Sequence, residues 1–243
     1  MEKLESGAKK LGLQLSYQQL EQFQVYYQEL IDWNQRMNLT AITDYEEVQI
    51  KHFLDSLTVV LALEQPIGSM SLIDVGTGAG IPGIPLKILL PEIKLVLLDA
   101  TAKKAAFLHH MKDKLELNSI EIVVGRAEDF AHKTQYREKF ELVLSRAVAR
   151  LPTTVELTLP FCAIGGSFIA QKKGVIDPEV SQATRAISLL GGNLREMKRI
   201  DLEEFAEERW LVIIDKVLPT PQQYPRRPGI PEKRPLLDKH SKQ

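Results

Sequence analysis

An apolar strand that runs straight into three alternating glycines constrains this chain more than any other feature: Leu72-Ile73-Asp74-Val75-Gly76-Thr77-Gly78-Ala79-Gly80-Ile81-Pro82-Gly83. Glycine reaches positive φ and lets a ligand approach the backbone closely. The helix that must follow begins with unpaired N–H groups. Strand, glycine turn and helix in that order predict an open α/β sheet with a ligand held beyond the carboxyl ends of its strands, where the strand order reverses.

The flanking sequence fits that prediction. Short apolar runs at Ser71 to Val75, Lys94 to Asp99, Ile120 to Val124, Glu141 to Ser145 and Ser167 to Gln171 alternate with stretches long enough to cross a sheet, at Pro82 to Leu90, Thr101 to Leu117 and Leu151 to Phe161. This alternation predicts a parallel sheet covered by helices on both faces. Leu194 to Ile200 and Arg209 to Val217 read as a closing pair of strands.

Upstream, Ser16 and Gln19 form a capping box for a helix carrying Leu20, Phe23, Tyr27, Leu30, Ile31 and Asn34 at helical spacing. A second helix is expected from about Glu46 to Leu63, ended by Pro66 and Gly68. The expected organisation is an amino-terminal helical layer (1–69), an α/β domain (70–218) and a tail (219–243). That tail holds six of the 13 prolines, and its six Lys or Arg against two Asp or Glu predict a basic, extended appendage.

Composition removes whole classes of function. The chain has 31 Lys and Arg against 32 Asp and Glu, so attraction to nucleic acid must be local. A single cysteine, Cys162, excludes intrachain disulfides and points to a reducing, cytoplasmic setting. No apolar run approaches the roughly 18–20 residues of a membrane span. Adjacent His109 and His110 lack metal-ligand spacing, and no metal site is expected.

Gly78-Ala79-Gly80-Ile81-Pro82-Gly83 also satisfies the dinucleotide pattern G-x-G-x-x-G, and Asp99, ending the next strand, can accept ribose hydroxyls under either reading. Asp74 separates the two. A carboxylate two residues before Gly76 suits the ammonium of a methionine moiety and repels a pyrophosphate. After the third strand, Gly125-Arg126-Ala127-Glu128-Asp129 reaches the same sheet edge, where backbone and carboxylate can flank an adenine, although acids are also favoured at any helix start. Arg146 ends the fourth strand facing the expected cleft, and an ordinary salt bridge would equally account for it.

Asp74 to Gly80 resembles the first motif of Rossmann-like, S-adenosylmethionine-dependent methyltransferases. Trp33-Asn34, Asn38-Leu39-Thr40, Lys51-His52-Phe53-Leu54-Asp55-Ser56, the continuation Ile81-Pro82-Gly83-Ile84-Pro85, Ser145-Arg146-Ala147 and Tyr224-Pro225-Arg226-Arg227-Pro228-Gly229 together are similar to the bacterial small-subunit ribosomal RNA guanine-N7 methyltransferases. The resemblance runs from about residue 15 into the tail. It implies S-adenosyl-L-methionine bound by Gly76, Ile81, Ala127, Glu128 and Arg146, to which the residue chemistry above adds Asp74, Gly78, Gly80 and Asp99. Ile81 stands where Phe or Leu is common in the family.

The resemblance further implies methyl transfer to guanine N7 in 16S ribosomal RNA, on the RNA or the small subunit, and a monomer is expected. That reaction needs no general acid or base, so Arg146 is expected to position rather than to exchange protons. Arg226, Arg227, Lys233 and Arg234 in the tail, with Lys172 and Lys173, are the candidate RNA-binding cations. Trp33, Asn34, His52 and Asp55 are expected between the helical layer and the sheet. A nicotinamide-dependent oxidoreductase and a noncatalytic RNA-binding module are the alternatives.

Overall fold

The computed structural model describes residues 1–64 and 67–238. Pro66, read as a helix breaker, and the last five residues of the tail lie outside them. Seven strands form one sheet: β1 (Ser71–Val75), β2 (Lys94–Asp99), β3 (Ile120–Val124), β4 (Phe140–Arg146), β5 (Cys162–Lys173), β6 (Gly192–Ile200) and β7 (Arg209–Lys216), in the order β3-β2-β1-β4-β5-β7-β6. β1 to β5 pair in parallel, and β7 lies antiparallel between β5 and β6. The ladder of β6 is bulged between Leu194 and Glu196. Strand order reverses between β1 and β4, which places the glycine turn at the switch point.

Alternation along the strands feeds two cores. Leu72, Leu95, Leu97, Leu142 and Leu144 face one side, with helices α1 (Glu2–Lys10), α2 (Tyr17–Asn34), α5 (Gly83–Leu89) and α6 (Ala102–Lys114). Ile73, Val75, Val96, Leu98 and Val143 face the other, with α8 (Leu151–Thr158) and α9 (Asp177–Leu189). The amino-terminal layer has no core of its own: Phe23, Leu30 and Phe53 belong to the same buried cluster as the sheet.

Three expectations change. Residues 2–10, to which the sequence pattern assigns no element, form α1, whose Leu4 and Ala8 are fully buried. In α2 the inward residues are Phe23, Tyr26 and Leu30, and Tyr27 is only half-buried. The single helix expected over 46–63 is instead α3 (Tyr45–Val48), a π-helical segment Gln49–Leu54, α4 (Asp55–Leu57) and a 3-10 turn Thr58–Ala62. Residues 52–60 are all buried, so packing from several directions sets the pitch in place of the local helical period.

The tail is also packed, contrary to the extended appendage expected. Arg137 donates to the carbonyls of Thr220 (2.8 Å) and Tyr224 (2.9 Å), and Tyr224, Pro231 and Leu236 are buried. Its short helix α10 (Ile230–Lys233) lies against α8.

Candidate functional site

The carboxyl ends of β1, β2 and β3 bring the predicted residues to one edge. Gly76 and Thr77 both donate their N–H groups to the Leu98 carbonyl, at 2.8 and 3.1 Å, tying the turn to β2. Gly76 and Gly78 have φ of +74° and +62°. At Gly78 a side chain would meet nothing within 4 Å, so this is the glycine beside open space. Gly80 serves packing, since a Cβ there would lie 2.5 Å from Ile84 Cδ1. Ile81 is buried within the core shared with the helices.

Asp74 is fully buried, and its Oδ2 accepts from Thr77 Oγ1 (2.6 Å) and the Gly83 N–H (3.0 Å). One oxygen thereby joins the turn to the start of α5. The other, Oδ1, is buried and makes no hydrogen bond among the described residues. Burial pushes the carboxyl up to about 6, against the opposing pull of the Thr77 and Gly83 hydrogen bonds. A buried carboxylate oxygen lacking a donor beside an open glycine turn fits a ligand ammonium.

Asp99 shapes the loop as well as facing it. Oδ2 accepts the Gly78 N–H at 2.9 Å and Oδ1 the Thr101 N–H at 2.9 Å, with Lys104 Nζ 3.5 Å away. Ala127 and Glu128 begin α7 (Ala127–Phe130), reached from β3 through Gly125, whose N–H donates to the Asp99 carbonyl. Glu128 is buried, and its Oε1 accepts the Gly229 N–H of the tail at 3.0 Å. Adjacent strands β1 and β2 thus carry Asp74 and Asp99 near their carboxyl ends, and β3 leads into the helix that bears Glu128.

Arg146 is pulled toward the helical layer. Nη1 donates to Asp55 Oδ2 (3.0 Å) and the Lys51 carbonyl (2.9 Å), and Nη2 lies 3.1 Å from His52 Nδ1. Arg209 Nε stands 3.3 Å from Asp55 Oδ1, while His52 Nε2 contacts Thr40 Oγ1 at 2.7 Å. Asn34 Oδ1 accepts from the N–H groups of Leu39 and Thr40. The motif residues from 34 to 56 therefore form one chain of polar contacts ending on Arg146. Burial and the neighbouring Arg146 charge press His52 down to about 4, so its ring is neutral at pH 7. Burial raises the Asp55 carboxyl, opposed by the charges of Arg146 and Arg209.

The candidate RNA-binding cations divide. Arg226 is turned inward onto fully buried Glu156, at 2.6 Å between Nη2 and Oε2. Lys172 Nζ is held by Glu179 (2.7 Å) and the Ala149 carbonyl. Those two side chains are committed to the protein. Arg227, Lys233 and Arg234 are exposed, and among the described residues exposed Lys173 pairs with the exposed Glu207 alone.

Two contributors escaped the sequence reading. Tyr26, fully buried, donates its hydroxyl to the Ala79 carbonyl at 2.6 Å, and burial pushes its phenol well above 10. Its signal was the i, i+3, i+7 spacing with Phe23 and Leu30. Val148 covers Gly76: a Cβ on that glycine would lie 2.4 Å from Val148 Cγ2. Beside it Ala147 adopts φ of +55°, a strained value for a residue with a side chain.

Residues 19–207 match the family model described as GidB, rRNA small subunit methyltransferase G. The chain is 52% identical over 237 residues to the ribosomal RNA small subunit methyltransferase G of Dehalococcoides mccartyi, covering 98% of this chain and 100% of that one. It is 48% identical to the protein of the same name from Lachnoclostridium phytofermentans, over 96% of each chain. Among solved structures it resembles a geranyl diphosphate C-methyltransferase from Streptomyces coelicolor (TM-score 0.54, 11% identity, 83% of this chain and 99% of that one), a likeness of fold alone.

Proposed function

Because the chain belongs to the rRNA small subunit methyltransferase G family, we propose that it transfers a methyl group from S-adenosyl-L-methionine to N7 of a guanine in 16S ribosomal RNA. The observation that carries the cofactor assignment is the buried Asp74 Oδ1, without a hydrogen-bond partner among the described residues, on the strand that leads into the turn left open at Gly78. A pyrophosphate at that turn would meet a carboxylate, which disfavours the dinucleotide alternative.

Asp74 would hold the donor's ammonium, the turn from Gly76 to Gly78 its backbone-facing side, and Asp99 and Glu128, with Ala127, its adenosine end. When bound, S-adenosyl-L-methionine supplies an electrophilic methyl group. Guanine N7 presents a free lone pair and loses no proton, so the protein needs no general base and contributes by alignment. Arg146, fixed by Asp55 and Lys51, sets the end of β4 beside the donor turn.

Side chains reach the N7 edge poorly inside an A-form duplex, so the acceptor is an unpaired or extruded base. Arg227, Lys233, Arg234 and Lys173 remain as surface cations for the RNA backbone. The division into helical layer, α/β domain and tail is one of tasks: buttressing the donor turn, binding the donor and contacting RNA. No described helix is long and apolar enough to cross a membrane, and we place the enzyme in the cytoplasm as a monomer.

The test is transfer of labelled methyl from S-adenosyl-L-methionine to small subunits purified from cells lacking this gene, followed by nucleoside analysis. Label in 7-methylguanosine is expected. Absence of label from both particles and stripped RNA would overturn the RNA assignment.

A further inference from the structure

The tail, beyond the 19–207 span of the family match, makes hydrogen bonds to α7 and α8. Arg226 grips Glu156 three times: its backbone N–H and Nε reach Oε1 at 2.9 and 2.8 Å, and Nη2 reaches Oε2 at 2.6 Å. Glu156 is fully buried on α8, so this carboxylate has no access to water and the arginine is its counter-charge. The preceding Pro225 carbonyl is held by His132 Nε2 (2.8 Å), and the Pro231 carbonyl by Thr153 Oγ1 (3.1 Å).

Between these anchors lies Gly229, with φ of +79° and its N–H on Glu128 Oε1 at 3.0 Å. That N–H is the one hydrogen-bond donor to the Glu128 carboxylate among the described residues. Oε2 makes no hydrogen bond among the described residues. One oxygen is thus clamped by the tail while the other is unengaged among the described residues.

We infer that residues 224–231 are a wall of the methyl-donor site, and that Arg226, acting through Glu156 and the Gly229 N–H, is a positioning residue that sets the Glu128 carboxylate for the donor's adenosine. This rests on the reading of Glu128 as a donor contact. It assigns the first arginine of the Arg226-Arg227 pair to donor binding and leaves the second for RNA.

The test is a double-mutant cycle read by calorimetric titration of the full chain with S-adenosylhomocysteine. Arg226→Gln should weaken binding about tenfold in the native background and less than about twofold in a Glu128→Gln background, because a residue that acts through Glu128 has nothing left to position once that carboxylate is gone. A merely structural role predicts equal losses in both backgrounds, and that result would overturn the inference, as would unchanged affinity in Arg226→Gln. If Glu128→Gln itself binds normally, the underlying donor-contact reading fails. Should Arg226→Gln not fold, Gly229→Ala takes its place in the cycle: its Cβ meets nothing within 4 Å, so only the strained backbone moves the N–H.

Discussion

Arg146 Nη1 lies 3.0 Å from Asp55 Oδ2, an ion pair that closes the seam between the helical layer and the carboxyl edge of the sheet. Both side chains are largely buried, and Arg209 shares the same carboxylate. Removing the carboxylate leaves two guanidinium groups facing each other out of water. Asp55→Ala should therefore cost about 3–5 kcal/mol of folding stability, as breaking a buried pair does. Urea unfolding of the two proteins measures it, and a loss below about 1 kcal/mol would mean that the pair behaves as a surface salt bridge.

Donor binding should depend on pH through Asp74. Its carboxyl titrates at about 6 in the free protein, so above that value the ionised form meets the ligand's ammonium and below it a proton competes. Affinity for S-adenosyl-L-methionine should fall roughly tenfold between pH 7.5 and 5. In Asp74→Asn it should be weak at both pH values and nearly flat between them. Titration calorimetry at the two pH values decides.

The same group and His52 push folding stability in opposite directions. Asp74 is raised from 3.8 to about 6, so its contribution is full below 3.8 and lost as pH rises through about 6. His52 is depressed from 6.5 to about 4, so its contribution is full above 6.5 and lost as pH falls toward about 4. Each shift corresponds to about 3 kcal/mol. Relative to the unaltered protein, His52→Gln should gain stability between pH 6.5 and 4.5, and Asp74→Asn should lose it. Denaturation midpoints at both pH values would refute this if the variants shifted in parallel.

Gly78→Ala should separate folding from binding. The strain of φ near +62° costs roughly 1–2 kcal/mol, and no neighbour lies within 4 Å of the new methyl group. The protein should fold while its donor affinity falls more than about tenfold, since the methyl stands where the ligand must pass. Normal affinity would show that the open side of Gly78 is not the donor's.

Tyr26→Phe removes the hydroxyl that holds the Ala79 carbonyl and leaves that buried oxygen without its partner. A loss of about 1–3 kcal/mol is expected. Faster amide exchange at Gly80 and Ile81, whose N–H groups bond within the same turn, would locate the damage.

The parts of the fold governed by local pattern were legible. Apolar runs of five or six residues mark β1, β2 and β3 to the residue, and Ser16 with Gln19 places the start of α2 because a capping box is a contact over three residues. β5 runs longer than the apolar segment 167–171, since its first half, through Gly165 and Gly166, carries no strand pattern. Long-range pairing left no such trace. Nothing near Arg146 announces that its partner stands 91 residues earlier, and nothing near Arg226 announces Glu156, 70 residues away. The tail misled through composition: its prolines and charges suggest an extended chain, and the sparse apolar residues Tyr224 and Leu236 that dock it are too few to form a period.

The bulge between Leu194 and Glu196 lies on β6, one of the sheet's two edge strands, along an edge bearing Arg195, Glu196, Lys198 and Arg199. A strand from another molecule could extend the sheet there only by matching a kinked ladder and burying those charges. This margin of the enzyme is thus guarded against strand-by-strand polymerisation.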